Sequence, residues 1–216
     1  DEPNESPPPD GPTADRDYQW SYDGRARSLE LQIPSDLYAY YKEQPRDPLT
    51  HRSYAEYVLD PLDDLYLADI AGQIADSVGG DYYATVENAL CFVQHCIAYA
   101  SDPGTFDYPR YPIETLVDSV GDCEDTAILY ASLVRTLGHG ALIVLVDTMK
   151  DGRIDHMVAY VPVDEAYAEA HPSGSFWEYE GKLYALAETA VEGGYLPLGA
   201  DPWGLSPDDI LRAYDV

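Results

Sequence analysis

The feature that most constrains this chain is a change of hydrophobic period part-way along it. From Leu62 to about residue 137 the apolar residues recur at helical spacing, and from Ala141 onward they alternate as strand residues do. Leu62, Leu65, Leu67, Ile70, Ile74 and Val78 predict a helical region over Tyr54–Val78 that Gly79-Gly80 ends. Val86, Leu90, Val93 and Ile97 stripe a second helix, about Tyr82–Tyr99. A loop over Ser101–Pro112 separates it from a helix that starts at Asp122 or Cys123 and runs to Leu137, before Gly138. Strands follow over Ala141–Val146 and Asp155–Val163, turning at Asp151-Gly152, and then a hairpin, Phe176–Tyr179 with Lys182–Glu188. Nearer the start, Tyr18, Trp20 and Tyr22 alternate, as do Leu29, Leu31 and Ile33, which predicts a hairpin about Asp23-Gly24. A short helix after Pro34, with Ser35 or Asp36 as cap, follows it. Helices first and an antiparallel sheet after is the order of an α+β fold.

The length of 216 residues suits one domain. Residues 1–17 hold five Pro and six acidic residues and no aliphatic residue larger than Ala, so they read as a disordered linker. The domain is then 18–216, with a hairpin and helices over 18–80 and a core over 81–216. Asp and Glu number 40 against 12 Lys and Arg, a net charge of −28. That sign argues against nucleic acid and against anionic membrane surfaces, which need basic residues. Only Lys42, Lys150 and Lys182 carry ammonium groups, and short Asp dominates the acids. A surface of this kind suits molar salt, where self-repulsion is screened over about 3 Å, so a halophilic source is expected and low salt should unfold the chain. The charge is expected on faces away from any reactive thiol.

No apolar run is long enough to span a bilayer. The acidic leader suits an exported, surface-anchored protein with a lipid or other N-terminal anchor upstream. The alternative is the cytoplasm of a high-salt cell. A monomer is expected.

Three cysteines cannot complete a disulfide framework. Cys91 and Cys96, five apart on a helix, fall on different faces and suit burial. Cys123 stands apart. It sits in Gly121-Asp122-Cys123-Glu124-Asp125-Thr126 at the mouth of an apolar helix, where orphan amide N–H groups and the dipole favour a thiolate. Asp122 and Asp125 can form a capping-box-like pair, and the cap carboxylates oppose the thiolate, so a nearby imidazole is needed. His156, at the start of an alternating strand, is the candidate base, and Glu188, on the next hairpin, is placed by order to fix its ring. Asp155 is a weaker competitor for that third position. Asp147–Asp155 partly mimics a calcium loop but lacks its closing Glu, and a turn is the better reading. His51, His95, His139 and His171 share no metal-ligand spacing, so no metal is expected, nor any cofactor.

Gly121 to Thr126 at a helix start, a His on a later strand and an acidic residue on the strand after resemble the transglutaminase-like superfamily, within the papain-like thiol enzymes. The archaeal and bacterial transglutaminase-like cysteine proteinase group is the nearest in pattern. The resemblance also takes in Phe92-Val93-Gln94, Tyr111 to Leu116 and Trp177 to Thr189, and covers about Trp20 to Pro202. It implies N-terminal helices on an antiparallel sheet, with Cys123 as nucleophile, His156 as general base and acid, and Glu188 as orienter. Many relatives have Asp followed by Pro at the third position, where this chain has Glu188-Thr189. The expected oxyanion donors are the Cys123 backbone N–H and the Gln94 side chain, with Asp122, Glu124 and Asp125 in support. The implied activity is thiol-dependent acyl transfer on a peptide or protein substrate: peptidase or amidase with water, cross-linking with a Lys amine. A silent, peptide-binding module is the alternative.

Overall fold

A computed structural model describes residues 11–46, 54–102 and 107–216. The chain opens with a hairpin, β1 (Thr13–Tyr22) on β2 (Arg25–Pro34), paired in register from Thr13↔Pro34 to Tyr22↔Arg25. Asp23 and Gly24 turn it with φ of 50° and 68°, the twist that a two-residue hairpin loop requires. The strand begins at Thr13, so Thr13–Asp17 belong to the sheet and not to a linker. Their partners, Glu30 to Pro34, supply the ladder that local composition could not reveal.

Helix α1 (Ser35–Glu43) follows, with no side-chain cap at its first turn, although Asp36 accepts from the Leu37 N–H at 2.9 Å. The predicted long helix divides into α2 (Ala55–Val58) and α3 (Asp64–Asp76), with Pro61 between them. Leu62 and Leu65 are consequently exposed, while Leu67, Ile70 and Ile74 remain in the core. Helix α4 (Tyr82–Cys96) is capped by Asp81, whose carboxylate accepts from the Ala84 N–H, and the chain then extends into β3 (Ala98–Tyr99). Phe92 of α4 takes the rings of Tyr18 and Trp20 edge-on at 5.3 and 5.2 Å. Trp20 Nε1 donates to Asn88 at 2.9 Å, which ties the hairpin to the helix.

Helix α5 (Pro112–Asp118) is an addition to the predicted elements. Pro112 stands at its first position and Ser119, with φ of 56°, ends it. The short strand β4 (Val120–Gly121) pairs in parallel with β3 and delivers the chain to α6 (Cys123–Thr136). Then come β5 (Leu142–Val146), β6 (His156–Pro162), α7 (Glu165–Ala170), β7 (Phe176–Tyr179), β8 (Lys182–Ala187) and β9 (Ile210–Asp215). Strands β5 to β9 form one antiparallel sheet in the order β7-β8-β6-β5-β9. The result is a mixed α and β fold with seven helices among the described residues.

The sheet is buried on both faces. Ile143, Leu145, Met157, Ala159 and Val161 join the helices in the main core. Leu142, Val144, Val158, Tyr160 and Leu186 form a second core with Trp177, Trp203 and Leu205 packed on it. This is why β5 reads as an unbroken apolar run, since successive side chains enter different cores. Among the described residues no helix is long and apolar enough to cross a membrane.

Candidate active site

Cys123 is the first residue of α6, and Asp122 caps that helix with Asp125 three residues on. The approach is tight. A Cβ on Gly121 would come within 2.6 Å of the Asp125 Cβ, so a bare backbone is needed for β4 to meet the helix. Asp125 is fully buried, accepts from the Arg110 N–H at 2.6 Å and pairs with the Arg110 guanidinium. Burial and the charge of Asp122 push its carboxyl up to about 7, against the pull of Arg110.

His156 opens β6 and Glu188 follows β8 directly, two strands that pair, and His156 Nε2 lies 2.9 Å from Glu188 Oε2. The second carboxylate oxygen accepts from the Ala190 N–H at 2.7 Å. Glu188 is 1% exposed, and burial pushes its carboxyl up while the imidazole draws it back. With Glu188 ionised, Nε2 carries a proton toward it and the lone pair of the neutral ring is on Nδ1. Helix α6 packs against β6, the strand that His156 opens, and the Met157 backbone beside the Cys123 thiol draws it down slightly against the larger rise from burial.

The thiol itself is otherwise engaged. Sγ donates to Glu124 Oε2 at 3.3 Å, and no hydrogen bond joins it to His156 among the described residues. Burial, followed by the Glu124 carboxylate, pushes the Cys123 thiol well above its ordinary range. The acidic surplus is therefore not confined to faces away from Cys123. One carboxylate oxygen each of Asp102, Asp122 and Glu124 lies within 4.8 Å of the others beside it. Buried oxygens of all three lack a hydrogen-bond partner, although Arg110 Nη1 comes within 3.3 Å of Asp102. Hard oxygen donors so grouped are of the kind that hold a divalent cation, and a proton relieves the same repulsion. Burial, with Asp107 and Asp122, pushes the Glu124 carboxyl up to about 10.

That shift has a sign. The unfolded chain releases this proton near pH 4.3, while the folded chain keeps it to about pH 10, so stability is full below the first value and falls as pH rises toward the second. Glu124→Gln should raise stability at pH 8 by about 1–3 kcal/mol and leave it nearly unchanged at pH 4. Denaturant unfolding in molar salt at the two pH values checks this.

Gln94 does not serve as predicted. Its Nε2 gives both protons away, to Glu188 O at 2.7 Å and Leu196 O at 2.9 Å, and its Oε1 accepts from the Leu196 N–H at 3.0 Å. With no donor left for an oxyanion, it is a positioning residue that pins the backbone of Glu188 and the following loop to α4. Asp155 is turned to the Thr148 and Met149 N–H groups at 2.8 and 2.9 Å, and so caps the β5–β6 connection. Asp147 likewise accepts from Asp151 and Gly152, as a turn does. His51 lies outside the described residues. Sequence reasoning missed Trp203, whose ring lies 4.4 Å from the His156 ring in a segment that Asp201 shapes by accepting from three successive N–H groups, Trp203 to Leu205. The Asp-Pro-Trp-Gly turn was a legible signal for the bend, but not for the ring it covers.

No protein-family model matches the chain, and no curated protein does. Solved structures similar to it include the following two. One is a putative protease from Parabacteroides distasonis, 11% identical over 82% of this chain and 40% of that one, with a TM-score of 0.42. The other is a putative cysteine protease from Cytophaga hutchinsonii, 13% identical over 68% of this chain and 57% of that one, with a TM-score of 0.39. The chain thus spans 40% and 57% of their lengths.

Proposed function

We propose that this protein is a thiol-dependent acyl-transfer enzyme acting on peptide or amide bonds, with hydrolysis as its outcome. One observation carries the reading: a cysteine stands in the first turn of a helix packed against the strand that opens with a histidine whose ring a buried carboxylate holds at 2.9 Å. In the reaction the Cys123 proton passes to His156 Nδ1 and the sulfur attacks the carbonyl carbon. The oxyanion that forms is held by the Cys123 backbone N–H, a first-turn amide without an intrahelical partner. The tetrahedral species collapses as the imidazolium protonates the departing amine, leaving a thioester. Water, deprotonated by His156, cleaves it and returns the thiol. Glu188 keeps the ring oriented and its charge balanced throughout, with Asp122 and Asp125 shaping the helix mouth.

The thiol must leave Glu124 for this to begin. The hydrogen bond to Glu124 favours a second reading, a catalytically silent module whose cleft binds a peptide. Peptide-library cleavage in molar salt, scored by mass spectrometry for wild type and Cys123→Ala, separates the two. Products with wild type that vanish with Cys123→Ala support the enzyme; peptide retention without cleavage by either supports the module. A primary amine included as acceptor reports any transfer in place of hydrolysis.

A further inference from the structure

A second concavity, of about 310 Å³, opens where the Asp23-Gly24 turn, α4 and the segment around Tyr195 meet. Glu87, Cys91 and His95 line it from one face of α4, spaced by fours, and Tyr22 and Tyr195 close its sides. The trio has the residue types of a second thiol centre, but its groups are spent. The Cys91 thiol donates to Ser21 O at 3.2 Å and lies 3.5 Å from His95 Nδ1, and burial pushes it up to about 11, with Glu87 adding to the rise. His95 Nδ1 lies 2.9 Å from Cys91 O, its own helix carbonyl. Nor does the trio converge on an ion: the one metal-sized grouping of His, Cys or carboxylate atoms among the described residues is the one beside Cys123.

What is left is Glu87. Its Oε2 accepts from the Tyr22 hydroxyl at 3.3 Å; burial pushes its carboxyl up while Tyr22, the Leu198 backbone, His171 and Tyr167 draw it back, and among the described residues no salt bridge holds it. Tyr195 lines the same hollow as Glu87, Cys91 and Tyr22. The Tyr195 ring lies 6.2 Å from that of His95. A carboxylate without a cation, set among aromatic rings in a hollow of this volume, is the arrangement that attracts a soft organic cation. A small inorganic ion gains little from ring faces, and an anion would meet both Glu87 and Asp23.

We propose that this cavity binds an alkylammonium group, its charge toward Glu87 and its carbon atoms against the rings of Tyr22 and Tyr195. Two sources share that chemistry, a free quaternary amine and a lysine side chain of a bound polypeptide. Calorimetric titration of the full chain, at fixed high NaCl, with choline and separately with Nα-acetyl-lysine N-methylamide tests both. The expected result is a dissociation constant below about 10 mM for at least one probe, the tighter one naming the source. The neutral isostere of choline, 3,3-dimethylbutan-1-ol, should bind at least about tenfold more weakly to the unaltered protein. Glu87→Gln should weaken the cation by a similar factor and leave the isostere unchanged. Equal binding of choline and its isostere, where choline is the tighter probe, overturns the proposal. So does the absence of binding by both cations at about 100 mM, or a Glu87→Gln protein that is folded and binds as before.

Discussion

Replacing His156 with alanine will lower the rate at which Cys123 is acylated at neutral pH by about 10²- to 10⁴-fold, the range that a positioned general base supplies. The expectation follows from how strongly the thiol is held in its neutral form. It is partly buried, donates to Glu124 and lies beside Asp122, so the helix N-terminus alone does not make a thiolate. A proton acceptor is needed. His156 is the one whose ring is fixed, by a carboxylate that spends its other oxygen on the Ala190 N–H. Glu188→Gln should cost less than His156→Ala, because an amide oxygen can still accept the ring N–H. Burst kinetics with an activated ester read both. A His156→Ala protein acylated as fast as wild type would remove the imidazole from the mechanism.

The largest loss of stability is expected from Arg46→Ala. Arg46 is 5% exposed and pairs with Glu114, whose side chain is wholly buried. The guanidinium also lies 4.8 Å over the rings of both Tyr108 and Tyr111, and its Nε donates to Pro109 O at 2.9 Å. Glu114 in turn accepts from the Tyr108 hydroxyl and the Tyr111 N–H, each at 2.9 Å, which sets the start of α5. Removing the arginine strands a buried carboxylate, since Lys42, 3.7 Å from its other oxygen, is partly in solvent. The cost should be about 3–5 kcal/mol, a fall in Tm on the order of 10 °C. Arg46→Ala combined with Glu114→Gln should recover part of that loss, because the stranded charge is gone. Thermal unfolding in molar salt measures both.

How much of this was legible in the sequence depends on the range of the interaction. The β1–β2 hairpin, α4, α6 and the β5–β6 and β7–β8 pairs carried local signals: alternation, caps and turn dipeptides. Helix α5 carried one too, Pro112 at its first position with Glu114 two residues on, but composition around it reads as loop. Strand β9 did not, for Ile210–Asp215 is an edge strand whose partner, β5, is some 65 residues away. Gln94 shows the limit for the site. A helical glutamine is as suited to an oxyanion as to a backbone carbonyl, and only the fold brings Leu196 to it. Order along the chain suggested Glu188 as the partner of His156, and the antiparallel pairing of β6 with β8 brings the two together. It could not reveal that Glu124 takes the thiol, since neighbours in sequence at a helix start can face apart or together.

The central claim is that Cys123 is a thiol that His156 can ionise. Alkylation by iodoacetamide in high salt, followed residue by residue by mass spectrometry at pH 7, tests it most directly. Cys123 should react at least about tenfold faster than Cys91, whose thiol donates to a backbone carbonyl, and His156→Ala should erase the difference. A Cys123 that alkylates no faster than Cys91 in the folded wild-type protein would contradict it.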